Sequence, residues 1–172
     1  MEYLARVLTR EIPDFPKPGV LFRDITPVLG NAVAFQEVID GLVEWASPLA
    51  PEAIVAVESR GFIFGAPVAL ALGIAFVPIR KPGKLPHETV SESYDLEYGN
   101  GVIEIHRDAL VLRQRVLLID DVLATGGTAS AAIRLITTLG AKVVGAAFVI
   151  ELKALEGRCR INEVETHALI TY

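Results

Sequence analysis

Short runs of apolar residues alternate with segments of helical periodicity along most of the chain. Continuous apolar runs predict buried strands at residues 53–57, 74–79, 116–119 and 143–150. Apolar positions with helical spacing predict helices between them, at residues 61–72 and 128–139. Because buried strands that alternate with helices are typical of a parallel sheet covered on both faces, the pattern predicts an α/β fold with a mostly parallel central sheet flanked by helices.

The N-terminal part follows a different pattern. Residues 2–10 have apolar positions spaced as in a short amphipathic helix, and residues 12–27 are rich in proline, which excludes regular helix and predicts an ordered loop. Phe22 in this loop is placed either to stack on a planar base or to join the core. Asn31 is a helix-capping residue type and precedes the next helical pattern, so we expect a helix to begin there.

Residues 81–101 interrupt the alternation with a long polar stretch that is rich in charge, serine and tyrosine. Residues 102–105 then alternate like a strand. Long loops in compact domains are usually functional or disordered, so residues 81–101 are expected to form a functional loop. The chain shows no repeat or linker, and a single domain over residues 1–172 is expected.

Residues 62–79 carry no charge and are long enough for a membrane-spanning helix. Gly65, Pro67, Gly73 and Pro78 interrupt this run, and Gly73 stands where a helix would end before a strand. A helix followed by a buried strand therefore explains the run better than a membrane span. The N-terminal segment carries charges throughout, so no secretion signal is expected.

Composition narrows the possible partners. The chain has 172 residues, of which 52% are hydrophobic, so it can bury a core without disulfide or metal staples. Its formal net charge is -5 and its basic residues are scattered, so nucleic acid is not expected as a partner. The single cysteine, Cys159, and three histidines far apart in sequence predict neither a disulfide nor a structural zinc site. The cytoplasm is therefore the expected compartment.

The most informative segment is residues 116–128, VLLIDDVLATGGT. It predicts a buried strand, then the carboxylates of Asp120 and Asp121 at the strand end, then a Thr-Gly-Gly-Thr turn that leads into a helix. Ligands of parallel sheets bind at the carboxyl edge of the strands, and glycine N–H groups at a helix N-terminus favour a phosphate. No lysine follows the glycines and no G-x-G-x-x-G pattern occurs, which argues against nucleoside triphosphate hydrolysis and dinucleotide binding.

Two carboxylates beside a phosphate would repel it unless they hold sugar hydroxyls or a magnesium ion that bridges to the phosphate. A phosphorylated ribose satisfies both requirements. An Asp pair after a strand can also merely cap the following turn. The adjacent Thr-Gly-Gly-Thr turn favours the ligand-binding interpretation.

Other charged residues allow two interpretations each. Arg60 follows a predicted strand, where its guanidinium is suited to bind pyrophosphate or to pair with Glu58. Arg80, Lys81 and Lys84 place positive charge in an acidic protein, which suits a polyanionic substrate or an ordinary solvated turn.

Residues 116–128 resemble the 5-phosphoribosyl 1-pyrophosphate (PRPP) motif of the type I phosphoribosyltransferases, and Val-Leu-Ala before the Thr-Gly-Gly-Thr turn resembles the adenine-specific members. Further segments resemble the same family in its order: its base-binding hood at residues 15–29 (FPKPGVLFRDITPVL), its pyrophosphate loop at residues 58–65 (ESRGFIFG) and its flexible catalytic loop at residues 80–86 and 93–99 (RKPGKLP and SYDLEYG). The likeness covers residues 12–157.

This resemblance implies a type I phosphoribosyltransferase fold, with a small N-terminal hood over residues 1–30 and a flexible catalytic loop over residues 81–101. It implies transfer of phosphoribose from PRPP to adenine in purine salvage, which gives AMP and pyrophosphate. The expected cofactor is Mg2+, held mainly by PRPP or pyrophosphate and without certain protein ligands. A homodimer is implied, because an arginine at the place of Arg80 reaches the neighbouring subunit's site in related enzymes.

The resemblance also implies roles for individual residues. The catalytic roles fall on Glu97, Arg60 and Lys84. The PRPP or AMP contacts fall on Asp120, Asp121, Ala124, Thr125, Gly126, Gly127, Thr128, Arg80, Lys81 and Tyr98. The base contacts fall on Phe22 and Leu152, which stack on opposite faces, and on the backbone at Arg23. Lys153 beside Leu152 would suit another purine such as xanthine, and a non-catalytic PRPP-binding regulator is the second alternative.

Overall fold

The computed structural model describes residues 3–95 and 100–172. These residues form two compact units, the first ending at Gly41 and the second beginning at Leu42. The first unit contains α1 (Leu4–Leu8), β1 (Arg10–Pro13), β2 (Leu21–Asp24), α2 (Thr26–Leu29) and the start of α3 (Ala32–Ala46). The single domain over residues 1–172 stays a prediction.

Strands β1 and β2 pair antiparallel, with Ile12 opposite Phe22. The prediction of a loop over residues 12–27 is therefore wrong at residues 12–13, 21–24 and 26–27, which belong to β1, β2 and α2, while residues 14–20 form the connection between the two strands. The prolines are compatible with this hairpin because they lie at the end of β1 and in the connection, where no strand N–H is needed. The predicted helix cap is confirmed, since Asn31 Oδ1 accepts two N–H groups of the first turn of α3 at 3.1 and 3.0 Å.

The second unit is built on a parallel sheet. Its elements are β3 (Ala53–Val57), α4 (Arg60–Leu72), β4 (Ala75–Ile79), β5 (Thr89–Asp95), β6 (Asn100–His106), β7 (Arg115–Leu123), α5 (Gly127–Thr138), β8 (Lys142–Glu151) and β9 (Thr166–Thr171), with 3₁₀ helices at Ser47–Leu49, Lys153–Leu155 and Gly157–Ile161. Five strands pair in parallel in the order β4-β3-β7-β8-β9. The predicted α/β fold with a parallel central sheet is confirmed.

The core of this unit follows from its apolar strands. Every residue of β3 is buried, and both α4 and α5 turn buried side chains inward. Helix α4 ends at Gly73, whose φ of +67° is the left-handed conformation common at helix C-termini. The uncharged run at residues 62–79 is therefore a helix followed by a strand, as predicted. In residues 3–95 and 100–172 no helix combines the length and the apolar character that a membrane crossing requires.

The polar stretch at residues 81–101, predicted to be a loop, contains much of a β-hairpin. Strands β5 and β6 pair antiparallel as a separate two-stranded sheet. Val90 and Tyr94 of β5 pack against the same buried cluster that includes Ile103 and Ile105 of β6. Serines alternate with these inward side chains along β5, so a strand with one buried face accounts for a composition that resembles a loop.

Strand β7 continues beyond its predicted end at residue 119 and contains both carboxylates. It pairs with β8 as far as Leu123, which lies opposite Glu151. Asp121 is 5% exposed, so the pair lies within the strand and Asp121 is buried. The apolar pattern could not show this, because ladder hydrogen bonds join backbone groups whatever the polarity of the side chains.

Candidate active site

Four segments leave the same edge of the parallel sheet, because parallel strands all end at one edge. They follow β3, β4, β7 and β8, at residues 58–60, 80–84, 124–128 and 152–157. These segments hold the arginines, the lysines and the glycine-rich turn that the sequence singles out. The edge therefore brings the predicted phosphate, ribose and pyrophosphate contacts to one side of the sheet.

The segment after β7 forms a cradle of backbone N–H groups. Gly126 has a φ of +79°, a left-handed conformation that permits α5 to begin at Gly127 directly after the turn. Gly126 is the helix cap and has no side chain that could accept a hydrogen bond from the first turn. The first-turn N–H groups, which lack intrahelical acceptors, therefore face out from the helix end. Ala124, Thr125 and Thr128 are half-buried around it. An anion bound here would accept hydrogen bonds from these N–H groups at the positive end of the helix dipole.

A second glycine, Gly157, packs directly against the backbone of this cradle. A Cβ on Gly126 would lie 2.3 Å from the carbonyl oxygen of Gly157, and a Cβ on Gly157 would lie 2.1 Å from the carbonyl oxygen of Ala124. The two backbones meet directly, so only glycine fits at either position. No local sequence pattern marks Gly157 as a site residue, because its contact with the cradle joins distant parts of the chain.

The two carboxylates have different partners. Asp120 Oδ1 accepts the N–H of Asp121 at 2.9 Å, and Asp121 Oδ2 lies 2.6 Å from Arg60 Nε. Among the described residues that buried oxygen has no aligned hydrogen-bond donor, so the contact with Arg60 is an ion pair. Burial raises the pKa of the Asp120 carboxyl well above its ordinary value, and the Asp121 charge raises it further. Carboxyls perturbed in this way are common at functional sites.

Helix α4 approaches the carboxylate pair closely. A Cβ on Gly61 would lie 2.8 Å from Asp120 Oδ1 and 3.1 Å from the carbonyl oxygen of Ile119. Glycine is therefore required for α4 to begin against β7. This approach also explains why Arg60, the first residue of α4, reaches Asp121.

The segment after β4 is held by carboxylates at its base. Arg80 Nε donates to Glu58 Oε2 at 2.8 Å, and another Arg80 nitrogen donates to the carbonyl of Lys84 at 3.3 Å. Glu104 of β6 accepts the backbone N–H of Arg80 at 2.9 Å and, through its side chain, that of Gly83 at 3.3 Å. Lys84 is exposed, as is Lys81. Their positive charge is therefore presented to solvent by a turn that Glu58 and Glu104 fix.

The predicted base contacts are divided between the two units. In the first unit, the half-buried ring of Phe22 meets the exposed ring of Phe15 edge to face, with centroids 5.2 Å apart. Arg23 forms an ion pair with Glu11 across the hairpin. In the second unit, the Leu152 N–H donates to the carbonyl of the last residue of β7 at 2.9 Å. Leu152 thus stands directly beside the start of the phosphate cradle.

Glu97 and Tyr98, assigned to the catalytic loop by resemblance, lie outside the described residues. Within residues 3–95 and 100–172, no three His, Cys, Asp or Glu side chains come together as a metal site. Proteins often hold Mg2+ through one or two carboxylates together with substrate phosphates. The Asp pair beside an anion cradle fits a magnesium ion that a bound phosphate would help to hold.

Comparison with known proteins shows which family the chain resembles. The family model described as "Phosphoribosyl transferase domain" matches residues 31–170. The adenine phosphoribosyltransferase of a Synechococcus species is 56% identical over 97% of this chain and 98% of its own length. The crystal structure of the adenine phosphoribosyltransferase from Thermoanaerobacter pseudethanolicus shares 48% identity and a TM-score of 0.95, with 98% of each chain covered.

A third relative has been solved with ligands. The adenine phosphoribosyltransferase of Saccharomyces cerevisiae, complexed with D-2,5-dideoxy-2,5-imino-altritol 1,6-bisphosphate and adenine, shares 40% identity and a TM-score of 0.90, with 96% of each chain covered. The sequence resemblance to the type I phosphoribosyltransferases and the α/β fold with a parallel central sheet are thus confirmed, while the bounds of the hood and of the catalytic loop stay predictions. With a glycine-cradled helix end after the Asp pair and a family match over most of its length, the chain belongs to the phosphoribosyltransferase family.

Proposed function

We propose that this chain transfers the 5-phosphoribosyl group of PRPP to adenine and releases AMP and pyrophosphate. The observation that carries the proposal is the arrangement at the end of β7, where two carboxylates precede the N–H cradle formed by Gly126 and the start of α5. A ribose that bears hydroxyls and a 5-phosphate matches these groups in this order. The names of the relatives support the same reaction.

PRPP has three parts to be held, and the sheet edge offers groups for each. The N–H groups of residues 124–128 and the hydroxyls of the two threonines among them hold the 5-phosphate. Asp120 and Asp121 accept hydrogen bonds from the ribose hydroxyls. Arg60 and Lys84 bring positive charge to the pyrophosphate. The remaining PRPP contacts are assigned to Arg80, Lys81 and Tyr98.

Adenine is the base that we propose. The relatives are named for adenine, and the yeast structure was solved with adenine bound. The family resemblance assigns Phe22, Leu152 and the backbone at Arg23 to contacts with the base. The edge-to-face packing of Phe15 on Phe22 supports this role, because a stacking ring is more effective when it is held in one orientation.

The reaction forms a bond between adenine N9 and ribose C1 and breaks the bond between C1 and the pyrophosphate oxygen. The electron pair of the broken bond leaves with pyrophosphate, and N9 loses its proton. Arg60 and Lys84 lower the barrier by stabilising the negative charge on the leaving group. Glu97 is assigned either to accept the N9 proton or to orient the base. When present, a magnesium ion held mainly by the pyrophosphate would supply charge neutralisation of the same kind.

We also propose that two copies of the chain assemble and that the enzyme works in the cytoplasm. Arg80 is the residue that the resemblance assigns to the neighbouring subunit's site. Its bond to Glu58 at 2.8 Å fixes the base of the segment that would reach across. A single cysteine is consistent with a reducing compartment.

A base panel tests the proposed reaction. The purified protein is given PRPP and Mg2+ with adenine, hypoxanthine, guanine or xanthine, and nucleotide and pyrophosphate are measured. We expect the wild type to form AMP from adenine and to form nucleotide from the other bases far more slowly. Asp120→Asn should lose AMP formation. Asp108→Asn, an exposed carboxylate on the turn after β6, is the matched control and should retain activity. A preference for xanthine would contradict the assignment of adenine, and PRPP binding without any nucleotide would favour a regulator.

A further inference from the structure

Arg158 follows Gly157, whose backbone packs directly against the phosphate cradle. We propose that Arg158 is a positioning residue, which holds Gly157 against the cradle and so keeps the N–H groups of residues 124–128 in place for a phosphate. The inference rests on the function proposed above for its link to catalysis. Its geometric basis, however, lies entirely in described residues of the second unit.

Each of the three nitrogens of the Arg158 guanidinium donates a hydrogen bond to another part of the second unit. Nε and Nη2 donate to the two carboxylate oxygens of Glu151 at 3.0 and 2.6 Å, and Nη1 donates to the carbonyl of Thr166 at 2.5 Å. Glu151 is the last residue of β8, and its side chain is only 8% exposed. A bidentate pair of this kind has one preferred geometry, so it fixes direction as well as distance.

Each member of this pair depends on the other. The hydrogen bonds from Arg158 lower the pKa of Glu151 below its ordinary value, although burial acts in the opposite direction. The same bonds raise the pKa of Arg158. Both groups are therefore charged at neutral pH, and removal of Arg158 would leave a largely buried carboxylate without its counter-charge.

The pair belongs to a closed circuit of contacts around the cradle. The Leu152 N–H donates to the carbonyl of Leu123, which ties the residue after Glu151 to the residue before Ala124. Arg158 is bonded to Glu151 through its side chain and to Gly157 through the backbone. Gly157 in turn packs against the carbonyl of Ala124. Ile161 anchors the same 3₁₀ helix in the core, so loss of Arg158 should loosen Gly157 against the cradle without releasing the helix.

The test compares Arg158→Gln with Arg160→Gln, which removes an exposed arginine from the same 3₁₀ helix. Affinity for ribose 5-phosphate is measured by calorimetry, and the KM values for PRPP and adenine are measured by turnover. For Arg158→Gln we expect about tenfold weaker ribose 5-phosphate binding and a similar rise in the KM for PRPP, with little change in the KM for adenine. Arg160→Gln should match the wild type.

Arg158→Lys separates positioning from general stability. Lysine keeps the charge but cannot form the bidentate pair, so it should recover thermal stability better than it recovers phosphate affinity. Equal effects on both KM values, or unchanged affinity for ribose 5-phosphate in Arg158→Gln, would overturn the proposal. Wild-type protein that binds ribose 5-phosphate but makes no nucleotide would instead refute the proposed function alone.

Gly157→Ala provides a second route that leaves the Arg158 pair intact. Its Cβ would lie 2.1 Å from the Ala124 carbonyl oxygen, so the backing of the cradle must move. If Arg158→Gln does not fold, Arg158→Lys tests Arg158 itself, and Gly157→Ala tests whether contact between this segment and the cradle matters for phosphate binding. Weakened ribose 5-phosphate binding supports the positioning role of this segment, and wild-type affinity overturns it.

Discussion

Replacing Gly126 by alanine tests whether the cradle depends on direct contact between two backbones. The new Cβ would lie 2.3 Å from the Gly157 carbonyl oxygen, and ordinary contacts begin at 3.4 Å, so the two segments must separate by about 1 Å. The φ of +79° adds roughly 1–2 kcal/mol of backbone strain. Overpacking adds roughly 1–3 kcal/mol. We therefore expect a loss of roughly 2–5 kcal/mol in the free energy of unfolding.

The matched control for this variant is Gly73→Ala. Gly73 also has a left-handed φ, +67°, but a Cβ there meets nothing within 4 Å. The free energy of unfolding of Gly73→Ala should fall only by the backbone strain of roughly 1–2 kcal/mol, and its kinetics should match those of the wild type. In Gly126→Ala the displaced N–H groups should lower kcat/KM for PRPP by about 100-fold. Thermal denaturation and steady-state kinetics measure both quantities, and equal stability losses with normal PRPP kinetics would refute the contact argument.

Asp120→Asn should stabilise the ligand-free protein at neutral pH. The pKa of Asp120 is raised in the folded protein above the value near 3.8 that it has in the unfolded chain. The free energy of unfolding of the wild type should therefore fall, relative to that of the variant, as pH rises from 3.8 through the raised pKa. Denaturant unfolding from pH 4 to 8 checks this, and parallel pH profiles would contradict it. Phe22→Ala should raise the KM for adenine by an amount equivalent to about 1–3 kcal/mol while changing the KM for PRPP little; equal effects would make Phe22 a packing residue. Glu97→Gln should lower kcat with little change in either KM, and an unchanged kcat in steady-state assays would exclude a chemical role for Glu97.

The sequence by itself determined the architecture of the second unit and the location of its candidate site. Strand β3 occupies the predicted residues 53–57, and α5 begins one residue before its prediction. This succeeded because strands buried on both faces admit only apolar side chains, so local composition carries the information. The Thr-Gly-Gly-Thr turn could also be predicted from the sequence, since few residues other than glycine adopt the left-handed conformation at a helix start.

Tertiary structure alone decided which groups meet. Arg60 at the start of α4 pairs with Asp121 of β7, while Glu58, the near neighbour of Arg60 in sequence, holds Arg80. Gly157 supports the phosphate cradle from a distant part of the chain. A polar stretch became the hairpin β5–β6 because its partner strand and an apolar surface were available to it. Ion pairs and backbone contacts depend on distances of a few ångströms, and those distances are set only when the strand order has brought separate segments to the same edge.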